Sequence, residues 1–202
     1  MEFIFQILIL IMSIVVHEVA HGYAAMLLGD NTAKYEGRLT LNPIKHLDPV
    51  GSFIVPLLSY QLGGFIIGWA KPVPYNPYNL RPGRWSEAIV AGAGPLSNIT
   101  IAIIFGFVVR GAVATGGSLA LVEISSLIVL INIILAVFNL MPIPPLDGSK
   151  LLFALFPENL SQFRAFFERY GMILLIFFVF FLWQLIFPVV VLIFQLITGL
   201  AL

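Results

Sequence analysis

Three stretches of this chain, Phe3 to Leu28, Ala88 to Val109 and Leu119 to Met141, are apolar for long enough to cross the roughly 30 Å core of a bilayer as helices. With 60% hydrophobic and 10% charged residues and a mean hydropathy of +1.03, the chain is far too apolar for a soluble domain of 202 residues. It reads as an integral membrane protein.

A fourth run, Val50 to Ala70, is broken by Pro56 and the Gly63-Gly64 pair, so it is either a kinked span or a re-entrant hairpin buried against protein. The last run, Tyr170 to Leu202, carries Pro188 within its 33 residues and is either one long kinked helix or a helix with a short hairpin partner. The first run lacks the basic leader and small-residue cleavage site of a secretory signal, so it is expected to be retained. Neither repeats nor low-complexity tracts are found. The expectation is an all-α polytopic membrane protein with one membrane-embedded domain over 1–202. Its core of three transmembrane helices lies in 3–150 and its C-terminal membrane segment in 170–202.

The ten basic and ten acidic residues cancel, and neither a basic tract nor a phosphate loop is present, which argues against a nucleic-acid partner. Gly92-x-Gly94 lacks the third glycine and the preceding strand of a dinucleotide fingerprint. Apart from Arg110, the basic residues form three clusters: Lys34, Arg38 and Lys45; Lys71, Arg81 and Arg84; Lys150, Arg164 and Arg169. If Val50 to Ala70 returns to the side it entered from, all three share one face, which the positive-inside rule makes cytoplasmic.

Within the first apolar run stands His17-Glu18-Val19-Ala20-His21. An ionisable group near the centre of a bilayer helix costs roughly 2.5 to 3.5 kcal/mol on insertion scales, so its presence points to function rather than accident. One helical turn apart, His17 and His21 share a face and can reach one metal ion. Glu18, displaced around the axis, is placed to act on a water at that metal, as the HExxH pattern of a zinc protease requires.

The chain has no cysteine, which excludes disulfides and thiolate ligands and leaves His, Asp and Glu as zinc donors. Candidates for a third ligand are His46, Asp48, Glu87, Glu123 and Asp147. Asp147 is the strongest by position. It closes a proline-rich break from Asn139 to Gly148, and broken helices at membrane depth expose polar groups to protein-lined cavities. Taken alone, Asp147-Gly148 also fits an ordinary turn. His46 and Asp48 suit a substrate gate, a second ion site or simple loop hydrogen bonding, and Glu123 suits a solvated helix start.

Asn98 follows the small residues of Ala91 to Ser97, which suits close helix packing. Asn132 and Asn139, seven residues apart, share a helix face. An amide there either bonds between helices or donates to a developing oxyanion; packing suits Asn132, and Asn139 stays open.

Three separated blocks together resemble the site-2 proteases, intramembrane zinc metalloproteases, and among them the short prokaryotic subfamily without a PDZ domain. His17 to His21 resembles the family's HExxH helix, Gly94-Pro95-Leu96-Ser97-Asn98 its GxxxN segment, and Asn139 to Gly148 its N-x-x-P-x-P-x-x-D-G motif. Leu41 to Pro49 and Gly68 to Pro74 also look like stretches of the short subfamily, so the likeness covers about Phe3 to Lys150. Many relatives have a helix before the HExxH span, whereas this chain begins with it.

The resemblance implies zinc held by His17, His21 and Asp147, with Glu18 as general base and acid. It also implies Asn139 near the metal, steadying the tetrahedral intermediate, and Asn98 on the adjacent core helix. The activity implied is zinc-assisted hydrolysis of peptide bonds in or near transmembrane segments of membrane-protein substrates; the orientation read from the basic clusters puts the site toward the cytoplasmic side of the cell membrane. Such a substrate must unwind locally, and strand-like segments around Gly37 to Leu41 or Lys71 to Tyr75 are candidates to hold it extended. The rival readings are a metal or ion transporter, for which no inverted repeat is found, and a non-catalytic scaffold that binds a helix.

Overall fold

The computed structural model describes residues 2–48, 50–54, 57–58, 61, 70–156 and 161–201. Among these the chain is helical without strands, and four helices are long and apolar enough to cross a membrane.

The first apolar run is α1 (Glu2–Leu27), followed by the short α2 (Thr32–Tyr35). Between them Gly29 adopts φ 111°, a left-handed conformation that favours glycine. The second and third runs are α3 (Ser86–Ala114) and α4 (Leu119–Asn139). Ser118 starts α4 by accepting the Leu121 N–H at 3.3 Å, satisfying a donor that the helix end leaves free. Then come α5 (Asp147–Leu155), α6 (Ser161–Phe177) and α7 (Trp183–Thr198).

A π turn over Phe178–Leu182 joins α6 to α7, so the C-terminal run is one long helix rather than a hairpin. It starts upstream of Tyr170 because the polar segment before it is also helix-competent. There Arg164 and Glu168 pair at 2.8 Å across one turn. Pro188 lies inside α7 without ending it, as membrane helices allow where neighbouring groups satisfy the freed carbonyl.

Helix α3 is central and packs against α1, α4, α5 and α7. In lipid, helices associate through close packing rather than a hydrophobic drive, and small residues allow the approach. Ala91, Gly94, Asn98, Ala102 and Gly106 form that buried stripe on α3. A Cβ on Gly106 would collide with the Ile197 side chain. Ala102, Val129, Ile133, Val190 and Phe194 then close the core between α3, α4 and α7.

The run Val50 to Ala70 falls largely outside the described residues, so its path is not described. Its flanks meet: the Lys71 N–H donates to the His46 carbonyl at 2.8 Å, and the Arg81 N–H to that of Leu28 at 2.8 Å. The flanks themselves therefore lie together, which brings the first two basic clusters to one face. Lys150 joins them, its ammonium 5.0 Å from the centre of the Tyr75 ring. Arg110 sits at the opposite end, where it donates to the Leu196 and Ile197 carbonyls at 2.7 Å each.

Asp30 organises the loops on the basic face. It is fully buried and accepts from the Thr32 hydroxyl (2.6 Å), the Thr32 N–H (3.1 Å), the Asn76 N–H (2.7 Å) and the Asn79 amide (3.0 Å). Burial alone would raise its pKa, but these hydrogen bonds outweigh it and hold the carboxyl below its ordinary 3.8.

Candidate metal centre

His17 and His21 stand on the inner face of α1 with ring centroids 4.6 Å apart and planes nearly perpendicular, at 87°. The His17 Nδ1–H donates to Asn98 Oδ1 at 2.6 Å, and the His21 Nδ1–H donates to the Val90 carbonyl at 2.7 Å. Both acceptors belong to α3. With each Nδ1 occupied as a donor, the neutral rings turn their Nε2 lone pairs to the opposite side.

Asp147 meets them there. Pro142, Pro144 and Pro145 follow the end of α4 and delay the next helix, Leu146 is extended (φ −68°, ψ 154°), and Asp147 then opens α5. Gly148 is required beside it, since a Cβ would run into the Leu140 carbonyl. Asp147 Oδ2 lies 3.1 Å from His17 Nε2 and 3.2 Å from His21 Nε2, and the three side chains are only 7, 12 and 14% exposed for His17, His21 and Asp147.

Gly94 makes the closeness of α1 and α3 possible. A Cβ there would sit 2.5 Å from His21 Cε1 and Nε2 and 2.6 Å from His17 Cε1.

Among the described residues, His17, His21 and Asp147 are the one set of three such donors that could hold a metal, their ligand atoms lying within 4.8 Å of one another. Two imidazole lone pairs facing one carboxylate oxygen need positive charge between them, supplied by protons or by a cation. Nitrogen and oxygen donors of this kind, with both imidazoles oriented from behind, suit zinc.

Glu18 projects differently. Its Oε2 accepts the Val73 N–H at 2.8 Å from the irregular segment 71–76. This segment lies against α1 where Gly22 makes room: a Cβ there would meet Val73 Cγ1 at 2.8 Å and Leu39 Cδ2 at 2.5 Å. Four backbone groups of Lys71 to Val73 are already bound within the protein: the Lys71 N–H by His46, the Lys71 and Pro72 carbonyls by Arg38, and the Val73 N–H by Glu18. Pro72 and Pro74 have no N–H, so this stretch is a poor template for an added strand.

Asn98 and Asn132 are both fully buried. The Asn98 amide donates to Asn132 Oδ1 (2.8 Å) and the Ser13 carbonyl (3.3 Å), and Asn132 donates to the Ser13 hydroxyl (2.9 Å) and its own helix at Ile128 (2.9 Å). Asn132 thus packs between helices as its position suggested. Asn98 does more than pack, since it orients a histidine, and Ser13 was not singled out in the sequence at all. One Asn139 amide hydrogen donates to the Leu135 carbonyl at 2.9 Å.

The remaining third-ligand candidates lie apart from the cluster. The His46 ring is buried and donates from Nε2 to the Thr40 carbonyl at 2.8 Å. Asp48 accepts the Val50 and Gly51 N–H groups at 3.0 and 2.6 Å. Glu87 lies in the first turn of α3, and Glu123 is exposed near the start of α4.

Comparison with known proteins adds an independent line. The sequence pattern of Peptidase family M50 matches residues 112–183, which include the Asn139 to Gly148 block but not the histidine pair. "Putative zinc metalloprotease YwhC" of Bacillus subtilis is 38% identical over 179 residues, covering 84% of this chain and 77% of its own length. A protein with the same designation, MJ0611 of Methanocaldococcus jannaschii, is 34% identical over 158 residues, covering 73% of this chain and 72% of its own. Another, Rip2 of Mycolicibacterium smegmatis, is 33% identical over 146 residues, which make up 68% of this chain and 52% of that relative. No solved structure matches the chain significantly.

Proposed function

The chain belongs to peptidase family M50, the site-2 proteases, and from that membership we propose that His17, His21 and Asp147 hold its zinc and that Glu18 is its general base. The protein is a multi-pass membrane zinc metalloprotease. The observation that carries the residue assignment is the approach of both Nε2 atoms to one oxygen of Asp147, at 3.1 and 3.2 Å, with Glu18 next to His17 in the chain.

When bound, zinc supplies Lewis acidity, bringing the pKa of a water toward about 7 and polarising the scissile carbonyl. The protein's own groups do the rest. Asn98 and the Val90 carbonyl fix the two imidazoles so that no reorientation is needed at the moment of reaction. Asp147 brings the negative charge of the donor set. Glu18 removes the proton from the attacking water and returns it to the leaving amine. Its Oε2 is steadied by Val73, which leaves Oε1 to carry that proton. Asn139 has a second amide hydrogen beyond the one donated to Leu135, and donating it to the oxyanion is the role assigned to it here.

The substrates are membrane proteins cut in or near a transmembrane segment. The site is read as facing the cytoplasm, because the basic loops gather on the side of α1 where His21 lies nearer the helix end. Zinc content tests the ligand set directly. His21→Ala and Asp147→Asn should each retain the helical fold by circular dichroism and lose zinc, and full zinc occupancy in either would contradict the assignment.

A further inference from the structure

Arg38 is only 5% exposed, although a buried guanidinium is expensive unless fully paired. Among the described residues no carboxylate pairs with it, and its Nε has no partner. Its Nη2 donates instead to two backbone carbonyls, Lys71 at 2.9 Å and Pro72 at 3.2 Å. The next residue is Val73, whose N–H meets Glu18. The same segment is fixed by the His46 carbonyl at Lys71, by Lys150 at the Tyr75 ring and by Asp30 at Asn76.

We infer that Arg38 is a positioning residue for peptide hydrolysis: by clamping the Lys71 and Pro72 carbonyls it holds the Val73 N–H on Glu18 and so aims the carboxylate at the attacking water. The inference rests on Glu18 being the base. It gives the Lys71–Val73 segment a purpose other than substrate pairing, for which its backbone groups are already occupied. A carboxylate on a flexible side chain needs such a restraint, because a base displaced by about 1 Å can lose on the order of a hundredfold in rate. A hydrogen bond to one oxygen fixes its plane and leaves the other oxygen for the proton.

Two variants break the chain of contacts at different links: Arg38→Gln releases the clamp, and Val73→Pro removes the N–H itself. Each should lower kcat on a model transmembrane substrate by about 10- to 100-fold, with KM within about twofold and zinc content unchanged. Arg38→Lys should recover part of the loss. The double variant should be no slower than Val73→Pro alone, since both act through one bond. Amide exchange on the zinc-free protein gives a readout apart from turnover. Pro72 and Pro74 have no N–H, so Val73 is the sole amide between Lys71 and Tyr75. It should be protected in wild type and in Glu18→Gln, and exchange at least tenfold faster in Arg38→Gln.

Loss of zinc in Val73→Pro or Arg38→Gln, a change in KM alone, additive losses in the double variant, or unchanged Val73 exchange in Arg38→Gln would each overturn the inference. Wild-type protein that cleaves, beside Arg38→Gln and Val73→Pro at full kcat, would overturn it and leave Glu18 as the base. Wild-type protein that binds zinc without cleaving would overturn both together.

Discussion

Asn98 accepts the Nδ1–H of His17 at 2.6 Å while its own amide donates to Asn132 at 2.8 Å, so one fully buried side chain ties the orientation of the His17 imidazole to the packing of α1, α3 and α4. The network holds one nitrogen of the histidine while the other, Nε2, faces Asp147.

Removing the Asn98 amide should therefore weaken metal binding without unfolding the bundle. Asn98→Ala is expected to lower zinc affinity by about 10- to 100-fold, read by competition with a chromogenic chelator. Unchanged affinity would mean that α1 alone sets the ring.

Gly94 and Gly92 lie on the same helix but face different neighbours. Gly94→Ala would drive a methyl group into both histidine rings, whereas the nearest atom to a Cβ on Gly92 is Leu151 Cδ2, at an ordinary 3.7 Å. The first change should abolish zinc binding and cleavage, and the second should leave both within about twofold. Equal behaviour of the two variants would refute this placement of α3.

Asp30 sets an acid limit on the loops of the basic face. Because its folded pKa lies below its ordinary 3.8, the stability it contributes is complete above that value and fades as pH falls through the lower folded value. Amides of Thr32 and Asn76 should thus be well protected at neutral pH and lose protection progressively as pH falls below 3.8, after correction for intrinsic exchange. Asp30→Asn should loosen the same junction at neutral pH by about 2 kcal/mol.

Arg110 closes the far end of the bundle by bonding the last carbonyls of α7. Arg110→Met should lower stability by about 1 kcal/mol and leave zinc content unchanged, measured by thermal unfolding in detergent and by metal analysis. Loss of zinc would show that the two ends of the bundle are coupled.

The parts of this architecture visible in the sequence are those in which a residue type is costly where it stands. His17, Glu18 and His21 interrupt an apolar span, and Asp147 ends a run of prolines that cannot continue a helix. The first three spans were legible for the same reason, since length and apolarity leave few other structures. The C-terminal run was ambiguous because Pro188 can bend a helix or end one, and in the structure α7 continues through it. Ser13 and Val73 left no signal. A serine is cheap inside a helix, and Val73 acts through a backbone N–H that every residue but proline possesses. Their roles arise only when helices distant in sequence meet.

Glu18→Gln beside wild type tests the hydrolytic assignment most directly, by zinc analysis and cleavage of a model transmembrane substrate. About one zinc per chain is expected in both, with cleavage by wild type alone and its loss on chelation. Cleavage by the Gln variant at the wild-type rate would contradict Glu18 as the base, and absence of zinc from wild type would contradict the metal centre itself.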